Sequence, residues 1–334
     1  MAIKVGINGF GRIGRMVFRA VAKDFPGIEI VAINDLLDPE YLAYMLKYDS
    51  VHGRFNGDIA VDGSNMVVNG KKIRLTAERD PANLKWNEVG ADIVIDCTGF
   101  FLTTESCEAH IKAGAKKVVQ SAPAKDSTPM FVYGVNHTTY AGEAIVSAAS
   151  CTTNCLAPVV KVVHEAIGIK HGQITTLHNP TNTNLVVDAP HKDLRRARSA
   201  MVNLAPTTTG SATAIALIYP ELKGKLNGHA VRVPALNASL TDCVFELNRA
   251  TTAEEVNALF DAAAKGPLAG ILGYESRPLV SADYARDTRS SIVDGLSTMV
   301  TDDTLLKVYA WYDNEMGYAC RMVDLACYME AAGL

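Results

Sequence analysis

Three observations predict an α/β architecture. Short apolar runs alternate with helix-period segments over the first half of the chain, a glycine-rich turn joins the first run to the first helix, and the texture changes past residue 150. The first two describe a doubly wound parallel sheet of the Rossmann type over residues 1–150, with helices packed on its faces. The third predicts a second, α+β domain over 151–315. At 334 residues the chain exceeds the size at which a single core usually stops growing, so two domains are expected.

The elements follow in order. Residues 4–8 read as the first strand. Ile13, Val17, Ala20 and Val21 then recur at helical spacing, and 29–34 read as the second strand, which completes a βαβ unit. A polar, glycine-punctuated stretch over 56–76 reads as an antiparallel excursion. Further strands are expected at 92–96, 117–120 and 144–147, the first two separated by a helical segment around 107–113. After Cys151 a helical pattern runs through Val159, Val160, Val163 and Ile167, with Pro158 expected to kink it or shift its start. Strand-like segments at 174–177, 231–234 and 239–247 mark the second domain.

Composition narrows the function classes. Hydrophobic residues make up 48% and charged residues 20%, and no run approaches the 20 or so apolar residues of a membrane span. The formal net charge of −4 offers no basic field for nucleic acid or anionic lipid, so small ligands met by local donors are expected. The opening Met1-Ala2-Ile3-Lys4-Val5-Gly6-Ile7 enters a strand pattern directly, and seven scattered cysteines suit a reducing compartment; a cytoplasmic protein without a metal site is expected.

Two motifs carry chemistry. Gly9-Phe10-Gly11-Arg12-Ile13-Gly14 follows a strand and opens a helix, so helix-terminal amides can meet a dinucleotide pyrophosphate. Asp35, about 20 residues on at the end of the second strand, can accept both ribose hydroxyls and repels a 2′-phosphate, which selects NAD over NADP. Ser150-Cys151-Thr152-Thr153-Asn154 lies where a strand pattern yields to a helical one. That places Cys151 at a helix N-terminus, where amides and the helix dipole are expected to acidify the thiol. Among eight histidines, His178 ends a strand-like run and enters a polar loop, the position of a candidate base.

Several strings resemble glyceraldehyde-3-phosphate dehydrogenases: Gly6-Ile7-Asn8-Gly9-Phe10-Gly11-Arg12-Ile13-Gly14-Arg15, Ile33-Asn34-Asp35, Ala149-Ser150-Cys151-Thr152-Thr153-Asn154-Cys155-Leu156-Ala157-Pro158, His191-Lys192-Asp193-Leu194-Arg195-Arg196-Ala197-Arg198 and Trp311-Tyr312-Asp313-Asn314-Glu315. The resemblance spans nearly the whole chain. It implies a Rossmann domain completed by a C-terminal helix over 316–334, a catalytic domain between, and a cytoplasmic homotetramer. Cys151 would attack the aldehyde of glyceraldehyde 3-phosphate, His178 would take its proton, NAD would accept the hydride, and inorganic phosphate would release the thioester as 1,3-bisphosphoglycerate. By position Asn314 would hold the nicotinamide carboxamide, beside a cofactor set of Gly9, Phe10, Gly11, Arg12, Ile13, Gly14, Asn34 and Asp35. Thr181, Thr183 and Arg232 resemble the residues that hold the substrate's phosphate. Ser150, Thr152, Thr209 and Gly210 resemble the site of the attacking anion, with Arg195 near both.

The chain departs from the family at three points. Asn179-Pro180-Thr181-Asn182-Thr183-Asn184 is an unusual loop, Thr213 stands where lysine is common, and Ala189 precedes Pro190 where NAD-specific members carry leucine. The loop is similar to that of a divergent bacterial branch linked to arsenate detoxification, which implies arsenate as an alternative acceptor. Further alternatives are an erythrose 4-phosphate dehydrogenase, a non-phosphorylating aldehyde dehydrogenase, and a non-catalytic NAD- or nucleic-acid-binding protein.

Overall fold

The computed structural model describes residues 2–333; Met1 and Leu334, the ends of the expected first domain and terminal helix, lie outside the described residues. The chain forms two compact units, one of residues 2–150 with 319–333 and the other of 151–318.

The first unit contains β1 (Ile3–Asn8), α1 (Arg12–Asp24), β2 (Ile28–Asn34), α2 (Pro39–Lys47), β3 (Ile59–Asp62), β4 (Asn65–Val68), β5 (Lys71–Thr76), β6 (Ile93–Asp96), α3 (Thr104–Lys112), β7 (Lys117–Gln120) and β8 (Ile145–Ser147). They make one sheet in the order β3-β4-β5-β2-β1-β6-β7-β8. All neighbours from β5 to β8 pair parallel, whereas β3, β4 and β5 pair antiparallel, the excursion expected over 56–76. Every residue of β6, β7 and β8 is buried, as parallel strands covered on both faces require. Helix α2 is absent from the sequence reading, although its start carries a local signal. Asp38 caps it by accepting the Tyr41 amide at 2.8 Å, and Pro39 occupies the first helical position.

The second unit contains α4 (Cys151–Ala166), β9 (Ile169–His178), β10 (Ala205–Thr208), α5 (Ser211–Ile218), β11 (Leu226–Arg232), β12 (Ser239–Leu247), α6 (Ala253–Lys265), β13 (Leu272–Glu275), β14 (Ser291–Asp294), β15 (Met299–Thr301) and β16 (Leu305–Tyr312). Its mixed sheet runs β10-β11-β9-β12-β16-β14-β13, with β15 beside β16. Helix α4 continues through Pro158. Its apolar residues Cys155, Leu156, Val159, Val160 and Val163 are buried, and packing against β9, β14 and β16 holds the turn that proline weakens. The closing helix α7 (Met316–Ala331) follows β16. Among the described residues no helix is long and apolar enough to cross a membrane.

Candidate active site

The glycine turn sits at the carboxyl end of β1. Gly9 adopts φ +87°, and its amide donates to Asn34 O at 2.8 Å, which ties the turn to the end of β2. A Cβ at Gly14 would lie 2.1 Å from Gly9 O, so only glycine lets α1 start this close to the strand. A Cβ at Gly11, by contrast, would meet nothing within 4 Å. No side chain caps α1, and no acidic residue occupies its first turn, an arrangement open to an anion.

The other expected cofactor residues divide by what their side chains already hold. Asp35 accepts the Phe10 amide at 2.8 Å and the Leu37 amide at 3.2 Å, which aims its carboxylate beside the turn. The Phe10 ring is core, edge-on to Phe18, so only its backbone lines the turn. Arg12 pairs with the buried carboxylate of Asp49. Ile13 is half-buried in the first turn of α1. The Asn34 side chain is fully committed inside the protein. It donates to Asn8 Oδ1 and Glu78 O and accepts from the Thr76 hydroxyl and the Glu78 amide, so it positions strand ends and has no atom left for a ligand.

That asparagine ends a buried polar chain that sequence reasoning missed. Asn8 Nδ2 donates to Asp96 Oδ2 at 2.7 Å, His110 Nε2 lies 3.1 Å from the same oxygen, and Trp86 Nε1 donates to His110 Nδ1 at 3.1 Å. An indole N–H only donates, so His110 carries its proton on Nε2. The chain locks together the carboxyl ends of β1, β2 and β6, the end of a parallel sheet where ligands bind.

In the second unit Cys151 is the first residue of α4, and β9 delivers His178 to it, with Sγ 3.7 Å from Nε2. Two residues before the thiol, the fully buried Ala149 holds φ 60°, a region usually left to glycine. Asn179 O lies 2.7 Å from His178 Nδ1 and 3.0 Å from Arg232 Nη1, and Nη1 is itself 2.7 Å from Nδ1. A carbonyl only accepts and a guanidinium only donates, so Nδ1 meets opposing demands from Asn179 O and Arg232 Nη1; the base role of His178 takes the tautomer with the ring proton on Nδ1, donated to Asn179 O. The Nε2 lone pair then faces the thiol.

The expected acidified thiol is corrected by these surroundings. Burial pushes the Cys151 thiol above its ordinary value, against the pull of Thr152, nearby amides and the Arg232 charge. Helix-terminal position alone predicted the opposite sign, because it omitted desolvation. Burial first, and then Arg232, push His178 down to about 4. At neutral pH the pair is therefore a thiol facing a neutral imidazole.

Of the residues expected to meet anions, Arg232 touches this pair directly. Arg232 ends β11, and its buried Nε has no partner among the described residues. The arginine that joins Thr183 is Arg196 and not the expected Arg195. Arg196 donates from Nη1 to Thr183 Oγ1 at 3.2 Å and from Nε to Thr207 Oγ1 at 3.0 Å, and its charge depresses both His178 and Arg232. Arg195 is exposed, because adjacent residues of this irregular loop project to different sides. Thr181 and Thr183 share a hydroxyl contact at 3.0 Å. Thr209 accepts the Ser211 amide at 3.3 Å and precedes Gly210 at the start of α5. The buried Thr152 hydroxyl is paired with Tyr312 OH at 2.8 Å. Ser150 is half-buried and directly precedes α4.

Asn314, buried and just past β16, faces Ser239 Oγ at 3.3 Å. Its neighbour Asp313, which the sequence did not flag, fixes the bend. Asp313 accepts the amides of Glu315, Met316 and Arg286 at 2.7 to 2.9 Å.

Comparison with known proteins fits this geometry. Residues 3–104 match the family description "Glyceraldehyde 3-phosphate dehydrogenase, NAD binding domain", and residues 150–314 match its "C-terminal domain". Over 336 aligned residues the chain is 57% identical to the glyceraldehyde-3-phosphate dehydrogenase of Geobacillus stearothermophilus, and 55% identical to glyceraldehyde-3-phosphate dehydrogenase 1 of Bacillus subtilis, with 100% of each chain covered. Against glyceraldehyde-3-phosphate dehydrogenase A of Escherichia coli it is 54% identical, over 98% of this chain and 99% of that one. An α/β chain with a glycine-turn unit, a thiol–imidazole pair and this full-length similarity belongs to the glyceraldehyde-3-phosphate dehydrogenase family.

Proposed function

We propose that the chain oxidises glyceraldehyde 3-phosphate to an acyl phosphate, with NAD and inorganic phosphate as co-substrates. The observation that carries this reading is the Cys151–His178 pair, with Nε2 3.7 Å from Sγ. In the first step the Cys151 sulfur attacks the aldehyde carbon while its proton passes to His178 Nε2. Beside Arg232 the resulting imidazolium is a strong acid, so it returns a proton readily to the developing thiohemiacetal oxygen. NAD, when bound, would supply the hydride acceptor, and His178 Nε2 takes the hydroxyl proton as the thiohemiacetal becomes a thioester. A phosphate oxygen then attacks the acyl carbon and Cys151 leaves as thiolate.

The glycine turn supports NAD binding in the first unit: Gly11 leaves room that a Cβ would fill, and Asp35 stands beside it. Asn314 is the residue we assign to the nicotinamide carboxamide. For the substrate's phosphate we assign Thr181, Thr183, Arg232 and, in place of Arg195, Arg196. The attacking anion falls to Ser150, Thr152, Thr209 and Gly210. An arginine whose charge is made costlier by burial and by Arg196, with its Nε donor unpartnered among the described residues, suits an anion. The arsenate alternative gains no support from the named relatives.

We further propose a homotetramer. Val186, Val187, Leu194, Met201, Val202 and Leu204 are all exposed on the segment between β9 and β10, an apolar surface that a second copy would cover. All seven cysteines are free thiols, which suits the cytoplasm. Following NADH absorbance with and without phosphate tests the reaction. Without the anion a single burst of about one NADH per subunit is expected, because deacylation stalls. Sustained turnover in anion-free buffer contradicts an acceptor anion.

A further inference from the structure

Ser239, at the start of β12, stands between the base loop and Asn314, and its hydroxyl has one proton to give. Two amide oxygens face it: Asn179 Oδ1 at 3.0 Å and Asn314 Oδ1 at 3.3 Å. The Asn179 amide also donates its backbone N–H to Ser239 Oγ at 3.3 Å. All three residues are buried, so water does not settle the competition. The orientation of Asn179 is fixed independently, because its Nδ2 donates to Leu236 O at 3.2 Å and therefore turns Oδ1 to Ser239. Tyr312, the cross-strand partner of Ser239, also lies within reach of its hydroxyl, but its OH is held at 2.8 Å by Thr152.

The proton consequently belongs to the nearer, fixed oxygen of Asn179. Asn314 then balances only with its amide reversed, so that Nδ2 donates to the remaining lone pair of Ser239 Oγ. The two ends of an amide have nearly the same shape, and hydrogen-bond balance decides between them. Reversal leaves Oδ1 as the end available to a ligand.

We propose that Asn179 is a positioning residue which, through the single proton of Ser239, presents Asn314 as a hydrogen-bond acceptor and so makes the site select the N–H₂ group of the nicotinamide carboxamide. This rests on the assignment of Asn314 to the nicotinamide.

Calorimetric binding of NAD and of its acetylpyridine analogue, in which methyl replaces N–H₂, tests the proposal on the full chain. The unaltered protein is expected to bind the analogue about tenfold more weakly, since a buried acceptor loses its donor. In Asn179→Ala the proton of Ser239 passes to Asn314 Oδ1, Nδ2 turns outward to the ketone, and the ratio of dissociation constants falls toward one. Asn179→Ser, which also removes the amide oxygen, should lower the ratio likewise and serves if the alanine variant folds poorly. A ratio near one in the unaltered protein, or a ratio unchanged in both variants, overturns the proposal. Asn314→Ala separates the layers. If it weakens NAD binding while the Asn179 variants keep the ratio, only the proton assignment fails. If it leaves NAD affinity unchanged, the placement of Asn314 fails and the proposal with it.

Discussion

Lowering the pH through the acid range should reveal the penalty that the second unit places on a charged His178. The ring titrates at about 4 in the folded chain against an ordinary 6.5. That gap corresponds to about 3 kcal/mol in favour of the neutral form. As pH falls below 6.5 the unfolded chain takes the proton first, so folding stability drops steadily until pH reaches about 4, where the folded ring also charges. Above 6.5 the group has no pH-dependent effect. Urea unfolding of the unaltered chain and of His178→Asn across pH 4 to 7 isolates this contribution, because any constant packing cost of the substitution cancels from the pH dependence. The stability difference between the two proteins should change by about 3 kcal/mol over that range. Single-turnover acylation should persist below pH 6 and fail only as pH approaches 4, since the neutral ring is the proton acceptor. A His178 C2-proton resonance titrating near 6.5, together with a pH-independent stability difference, would refute both the burial argument and the role of Arg232.

Three further substitutions follow from the geometry. Arg196→Leu should raise KM for the phosphorylated substrate about tenfold or more by removing charge-assisted donors, whereas Arg195→Leu should change it less than about twofold; the reverse ranking in steady-state kinetics contradicts the placement of these two arginines. Gly14→Ala drives a Cβ into Gly9 O and should cost about 3 kcal/mol, read by thermal unfolding, while an unshifted midpoint would show that the turn relaxes. Asp35→Gly removes both a bond to the Phe10 amide and the charge that repels a 2′-phosphate, so the kcat/KM ratio of NAD to NADP should fall by about tenfold, and an unchanged ratio argues against that carboxylate as the selector.

The parallel half of the fold was legible because its signals are local. β7 has the expected bounds of residues 117–120, and β1, β2, β6 and β8 differ from expectation by one residue at their starts. Each is a short apolar run that helices bury on both faces. The strands β13 to β16 and helix α6 went unassigned, since the sequence reading of the second domain rested on three scattered segments. Within the site, the positions of Cys151 and His178 at element ends were readable as breaks in periodicity. Their electrostatics were not. The sign of the Cys151 shift depends on burial supplied by residues far along the chain, which no local motif contains. The same limit separates Arg195 from Arg196: in a loop without period, sequence offers no rule for which of two neighbours turns inward. Asn34 carries a related lesson, for its place beside Asp35 suggested a ligand contact, while Thr76 and Glu78, more than forty positions away, occupy its amide.

Ala149 shows how such a site resists improvement. A left-handed backbone is uncomfortable for any residue with a Cβ, by roughly 1 kcal/mol, and glycine would sit there at ease. A laboratory selection for heat tolerance alone would be drawn to that replacement. Yet the stiffness that alanine imposes lies two residues from the sulfur, and the more forgiving backbone would let the nucleophile wander. Durability and aim pull in opposite directions at this one position, so a hardier descendant of this protein would be expected to gain its toughness elsewhere in the chain.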